Sequence, residues 1–76
     1  MKVWAYVFIT TSTPRAVVQK VRKIPGVAKA DALFGTPDVI AIVEGDDIAS
    51  MDQVIDEIAL IKGVAGTDSK VARWID

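Results

Sequence analysis

Seventy-six residues, 51% of them hydrophobic and 25% charged, make one domain near the lower size limit for independent folding. They exclude a disordered tail, which combines low hydropathy with high net charge. With no cysteine and no histidine, the chain has no disulfide framework, no thiolate, and neither the commonest metal ligand nor the usual proton carrier at neutral pH. A net charge of −1 argues against sequence-independent binding to nucleic acid, whose affinity comes from neutralised phosphates.

The longest apolar run is Val3 to Ile9. It is far short of the ~20 residues that cross a bilayer. Thr10-Thr11-Ser12-Thr13-Pro14-Arg15 is a poor signal-cleavage region, so the run reads as a first strand near residues 2–10 of a soluble, cytoplasmic protein. A helix near 14–23 follows, with Thr13 as N-cap and Pro14 at the first helical position, where its missing N–H costs nothing. Strands near 27–34 and 38–44 flank Gly35-Thr36-Pro37-Asp38, a run of turn formers that joins them as a hairpin. A second helix near 48–61 starts at Ser50, which reads as a capping box with Gln53, or earlier if Asp46 or Asp47 is the cap. The last strand falls near 66–74.

These elements repeat. Ile24-Pro25-Gly26-Val27-Ala28-Lys29-Ala30-Asp31 returns as Ile61-Lys62-Gly63-Val64-Ala65-Gly66-Thr67-Asp68, identical at five of eight positions with an offset of 37. The same offset carries Val17, Val18, Val21 and Ile24 onto Val54, Ile55, Ile58 and Ile61, the i, i+1, i+4, i+7 stripe of a helix buried on one side. Two β-α-β halves in tandem give an α+β, ferredoxin-like βαββαβ fold. Right-handed crossovers place both helices on one face of a four-stranded antiparallel sheet of order 4-1-3-2.

The other face is then left bare. If Val3, Ala5, Val7 and Ile9 face the helices, Trp4, Tyr6 and Phe8 line the opposite side, flanked by Ile40 and Ile42. A sheet with one wet face alternates apolar and polar residues, and these two strands do not. Monomers rarely tolerate so large an apolar patch. Packing against the sheet of a second copy is expected, which makes these five residues a dimer interface. The alternative is that Trp74 and Ile75 fold over the face within one chain.

Charge is sorted along the chain. Arg15, Lys20, Arg22, Lys23 and Lys29 form a basic stretch, and from Asp31 to Glu57 there are eight acids and no base. The plain reading is mutual steering of adjacent helices, and the sharper one is a nucleic-acid patch on the first helix. No catalytic set, Walker-type loop or zinc spacing is present, so neither an enzyme nor a cofactor is expected. Asp46 and Asp47 are too few to cage a hard cation and read as solvated capping acids. The tailored place is the Gly35–Asp38 turn, where a carboxylate beside free backbone groups suits an amino acid's ammonium and carboxylate. The competing reading is an Asx-type turn in which Asp38 serves only its own backbone.

Three segments carry a resemblance. Ala5-Tyr6-Val7-Phe8-Ile9-Thr10, Gly35-Thr36-Pro37-Asp38-Val39-Ile40 and Ile61-Lys62-Gly63-Val64-Ala65-Gly66-Thr67-Asp68-Ser69 are similar, in order and spacing, to the effector-binding (RAM) domain of the Lrp/AsnC transcription regulator family. The resemblance implies dimers formed by sheet-on-sheet packing (a dimeric α+β barrel) and their assembly into an octamer or similar ring. It implies an amino-acid effector bound between dimers by Gly35, Thr36, Pro37 and Asp38, with Asp38 on the ammonium and hydroxyls from Thr67 and Ser69. Pro37 stands where family members often carry an aromatic residue. Full-length members place a helix-turn-helix ahead of this domain, so the resemblance implies a stand-alone sensor. Such a sensor does not bind DNA directly, does not bind a membrane, and is able to co-assemble with full-length regulators. The alternatives are a small monooxygenase-like enzyme of the same fold and an ACT-like regulatory domain, in which Asp38 matters little.

Overall fold

In the computed structural model, which describes residues 2–73 and Ile75, six elements follow in chain order. They are β1 (Val3–Thr11), α1 (Pro14–Val21), β2 (Val27–Ala32), β3 (Val39–Gly45), α2 (Ile48–Ala59) and β4 (Val64–Val71). The strands pair antiparallel in the order β2-β3-β1-β4, the ferredoxin-like arrangement that two tandem β-α-β halves require. Strand β4 runs from Val64 to Val71, so it begins two residues earlier than expected, directly after the turn at Gly63, and stops short of Ala72. The expected C-terminal end of that strand, at Trp74, lies outside the described residues.

The internal repeat is a repeat of hydrogen bonds. After α1, Ile24 N–H donates to Val21 O at 3.1 Å and Val27 N–H to Ile24 O at 3.1 Å. After α2, Ile61 N–H donates to Ile58 O at 3.2 Å and Val64 N–H to Ile61 O at 3.1 Å. Gly26 and Gly63 close these turns with φ of +99° and +103°, a region open to glycine at no steric cost. Each glycine also packs against the helix of the other half. A Cβ at Gly26 would lie 2.7 Å from Val54 Cγ2, and one at Gly63 3.2 Å from Val17 Cγ2. Val17 and Val54 are themselves equivalent in the repeat, so the two halves lock by the same contact made twice.

The core lies between the sheet and the helices. Ala5, Val7 and Ile9 of β1 and Val39, Ala41 and Val43 of β3 are fully buried there, under Val17, Val18 and Val21 of α1 and Met51 and Ile58 of α2. On the opposite face the register sets Trp4 against Glu44, Tyr6 against Ile42 and Phe8 against Ile40. Trp4 and Tyr6 are 40% and 43% exposed, so this face presents a contiguous aromatic and aliphatic strip. Ile75 is 74% exposed; Trp74 lies outside the described residues.

Two local expectations change. The cap of α2 is Asp47, not Ser50: Asp47 Oδ1 accepts from Ser50 N–H at 2.8 Å and Asp47 N–H donates to Ser50 Oγ at 3.3 Å, so the box closes one turn ahead of Gln53. An aspartate in extended backbone conformation at residue 47 reaches the free amides first. Among the described residues no ion pair joins α1 to α2, so the charges do not steer the helices together within one chain. Arg22 turns instead to β2, donating from Nε to Ala30 O at 2.9 Å and pairing with Asp31 at 3.4 Å.

Candidate ligand-binding site

The site is built where β1 ends. The alternation that buries Ala5, Val7 and Ile9 also carries residue 11 to the core side, and among the described residues Thr11 is the one polar residue that is buried. Its hydroxyl is fully used. Oγ1 donates to Gly63 O at 2.6 Å and accepts from Thr13 N–H at 3.0 Å, tying β1 to the turn before β4 and to the entrance of α1. Thr13 therefore begins the helix without capping it through its own side chain.

The β1–β4 register slips between Thr10 and Thr11, and Thr11 N–H finds its acceptor in Asp38 Oδ2, at 2.9 Å. Asp38 N–H donates to Ile9 O at 3.1 Å, and Asp38 O accepts from Leu33 N–H at 2.8 Å. Asp38 thus fastens the β2–β3 hairpin to β1 with its side chain and its N–H, while its carbonyl closes the hairpin on Leu33. It serves a strand 27 residues away, not only its own turn.

Beside this fastening, a cleft of about 450 Å³ opens on the face away from the helices. Its floor is Phe8 and Thr10 of β1, and one wall is the Thr36–Pro37 segment of the hairpin. The other wall is β4, where Gly66, Thr67, Asp68 and Lys70 line it. The register explains the β4 wall. Gly66 lies opposite Thr10, Asp68 opposite Phe8 and Lys70 opposite Tyr6, so Asp68 and Lys70 point to the open face. Lys70 Nζ donates to Asp68 Oδ1 at 3.2 Å inside the cleft.

Of the residues expected to hold a ligand, Thr36, Pro37 and Thr67 border this cleft together, Thr67 from a strand position that, opposite Ile9, shares the side of Ser69. Gly35, with φ of +101°, and Asp38 shape and fasten the turn without lining the cleft. Ser69 lies opposite Val7 and so sends its side chain to the helix-bearing side, where β4 overhangs the helices and Ser69 stays exposed. Phe8 has two roles in the geometry, since it closes the cleft and continues the apolar strip of Trp4, Tyr6, Ile40 and Ile42. Sequence reasoning missed Thr10, Gly66, Asp68 and Lys70 as lining, and Thr11 as the anchor. Alternation carried past Ile9 would have shown that Thr11 is buried.

A second groove, of about 410 Å³, runs along α1 between Arg15, Gln19 and Arg22, over Val18 and Ala32. Among the described residues no group of three or more acids is placed to hold a metal ion. Asp47 is committed to its cap, and the hydrogen bonds from Ser50 hold its carboxyl below the usual aspartate range. No described helix is long and apolar enough to cross a membrane.

Residues 5–72 match the family model described as the Lrp/AsnC ligand binding domain. The chain is 38% identical over 69 residues to the HTH-type transcriptional regulator LysM of Saccharolobus solfataricus, a match covering 86% of this chain and 49% of that protein. It therefore spans about half the length of that curated relative. The crystal structure of TTHA0845 from Thermus thermophilus superposes with a TM-score of 0.88 at 25% identity, covering 97% of this chain and 96% of that one. The regulator NMB0573 of Neisseria meningitidis, solved as a complex with L-Met, superposes with a TM-score of 0.77 at 21% identity, over 95% of this chain and 50% of that one. At that identity the likeness is one of fold alone.

Proposed function

The chain belongs to the Lrp/AsnC ligand-binding domain family, and from that premise we propose that it senses a small effector of the amino-acid class. The effector sits in the cleft between the Thr36–Pro37 turn and Thr67. The observation that carries this is the convergence on one concave surface of segments that are distant in sequence, fastened there by Asp38 on Thr11. Asp38 serves the site by holding the turn, and its Oδ2 is already occupied by Thr11 N–H. Ser69 lies between Asp68 and Lys70 but on the opposite face of β4, and supplies a hydroxyl only to a ligand that wraps the β4 edge. L-Met in the NMB0573 complex is an instance of this ligand class on this fold.

The apolar strip of Trp4, Tyr6, Phe8, Ile40 and Ile42 packs against the same strip of a second copy. A patch of this kind is unstable in water, and the small core gains most from association. Because Phe8 belongs to both surfaces, effector and dimer share a side chain, which provides a route for occupancy to be felt in assembly. Dimers then associate further into a ring. The output is on transcription, through co-assembly with regulators that carry the same domain. A monooxygenase-like activity has no residues to carry it in the cleft, whose hydroxyls and single ion pair offer no redox group.

A thermal-shift screen against the twenty amino acids tests the reading. A ligand that binds only the native state raises the unfolding midpoint in proportion to ln(1 + [L]/Kd). A rise with a subset of them is expected. No shift with any at millimolar concentration would remove the amino-acid class.

A further inference from the structure

The ligand class is narrowed by Asp68 and Lys70, the only charged side chains that line the cleft among the described residues. They stand two positions apart on β4, so both leave the sheet on its open face. On the neighbouring strand Phe8 lies opposite Asp68 and Tyr6, next along the same face, opposite Lys70. The carboxylate and ammonium are in contact at 3.2 Å, yet each side chain is 65% exposed. An exposed pair of this kind contributes little to folding, because water and salt screen it. Separating it to admit a ligand therefore costs the fold almost nothing. Such a pair, self-neutralised and cheap to open, is poised to be replaced by a better partner for both charges at once.

We infer that Asp68 and Lys70 together read the head group of a zwitterionic α-amino acid. The inference rests on the amino-acid reading above. The ligand's ammonium lies against Asp68 and its carboxylate against Lys70, so four charges alternate in sign and each gains a charge-assisted hydrogen bond. The rest of the ligand runs over Phe8 toward Pro37, with the Thr10 and Thr36 hydroxyls at the rim. The two protein charges sum to zero, so the site favours a head group of zero net charge. Among the described residues no third charge lines the cleft to meet an ionised side chain. The class selected is amino acids with uncharged, apolar side chains. Lysine and glutamate are discriminated against, as are ligands with only half the head group.

Calorimetry on the full chain tests this with L-methionine, L-methioninamide, which lacks the carboxylate, and N-acetyl-L-methionine, which lacks the ammonium. Both side chains are exposed, so Asp68→Asn and Lys70→Gln are expected to fold as the parent does, which circular dichroism checks. Each single variant weakens L-methionine about tenfold or more. Asp68→Asn leaves N-acetyl-L-methionine unaffected and Lys70→Gln leaves L-methioninamide unaffected, because each analogue has already lost the group that the missing charge would read. Single variants that bind L-methionine as the parent does would overturn the inference while leaving the amino-acid reading standing. So would a parent that prefers L-lysine or L-glutamate. A parent that binds none of the twenty amino acids would overturn both.

Discussion

Replacing Thr11 by valine exchanges one hydroxyl for a methyl group of nearly the same size, at a position 5% exposed. The hydroxyl makes two hydrogen bonds to backbone groups, 2.6 Å to Gly63 O and 3.0 Å from Thr13 N–H, and a longer one of 3.3 Å with Thr13 Oγ1. Both backbone partners are part-buried and lose their only side-chain partner in the variant. A buried hydrogen bond is worth about 1 kcal/mol net, and a stranded buried group costs about 1–3 kcal/mol. The gain from burying the extra methyl offsets part of this, about 1 kcal/mol. Thr11→Val is therefore expected to lose about 2 kcal/mol. For a chain of this size that lowers the unfolding midpoint by on the order of 10 °C. Urea denaturation at one fixed protein concentration measures it, since self-association makes the midpoint concentration-dependent. The substitution spares the Thr11 backbone N–H that holds Asp38, so the turn and the cleft persist and effector affinity stays within about twofold. A loss under about 0.5 kcal/mol would refute the reasoning, by showing that water already satisfies these groups.

Three further outcomes follow from the same geometry. Asp38→Ala strands the Thr11 N–H and releases the hairpin, so effector affinity falls about tenfold while the dimer persists; Asp38→Asn keeps an acceptor and restores binding, as calorimetry and light scattering together would show. Tyr6→Glu buries a charge at the centre of the apolar strip and yields a monomer by light scattering at micromolar concentration, with the monomer's secondary structure retained by circular dichroism. Asp47 makes the acid limb of stability steeper. Its folded pKa is below its ordinary value of 3.8, so the unfolded chain binds the proton more readily. The stabilisation is whole above pH 3.8 and is lost as pH falls through the lower, folded value. Asp47→Asn caps without titrating, and its acid unfolding curve should be flatter than the parent's below that pH.

How much of this was legible in the sequence depends on how local the signal is. The 37-residue echo revealed the tandem halves and hence the strand order, because each half must bury the same helical stripe against the same kind of strand. Alternation along β1 separated Ala5, Val7 and Ile9 from Trp4, Tyr6 and Phe8, and the burial follows it. The choice between Asp47 and Ser50 as cap was open, since three candidate acceptors lie within five residues and only backbone geometry decides which meets the free amides. The partner of Asp38 was not legible at all. It is a backbone amide freed by a register slip in another strand, and no side-chain pattern announces it. Asp68 and Lys70 read as ordinary surface charges until the β1–β4 register sets them side by side in a cleft, across from Phe8 and Tyr6.

Titration of L-methionine into the uniformly ¹⁵N-labelled chain, followed amide by amide, tests the central claim most directly. Binding between the hairpin turn and β4 predicts saturable shifts at Thr10, Thr36, Gly66, Thr67, Asp68 and Lys70, with Arg15, Gln19 and Arg22 of the other groove unmoved. Shifts confined to the α1 groove, or none at any amide at millimolar ligand, would contradict it.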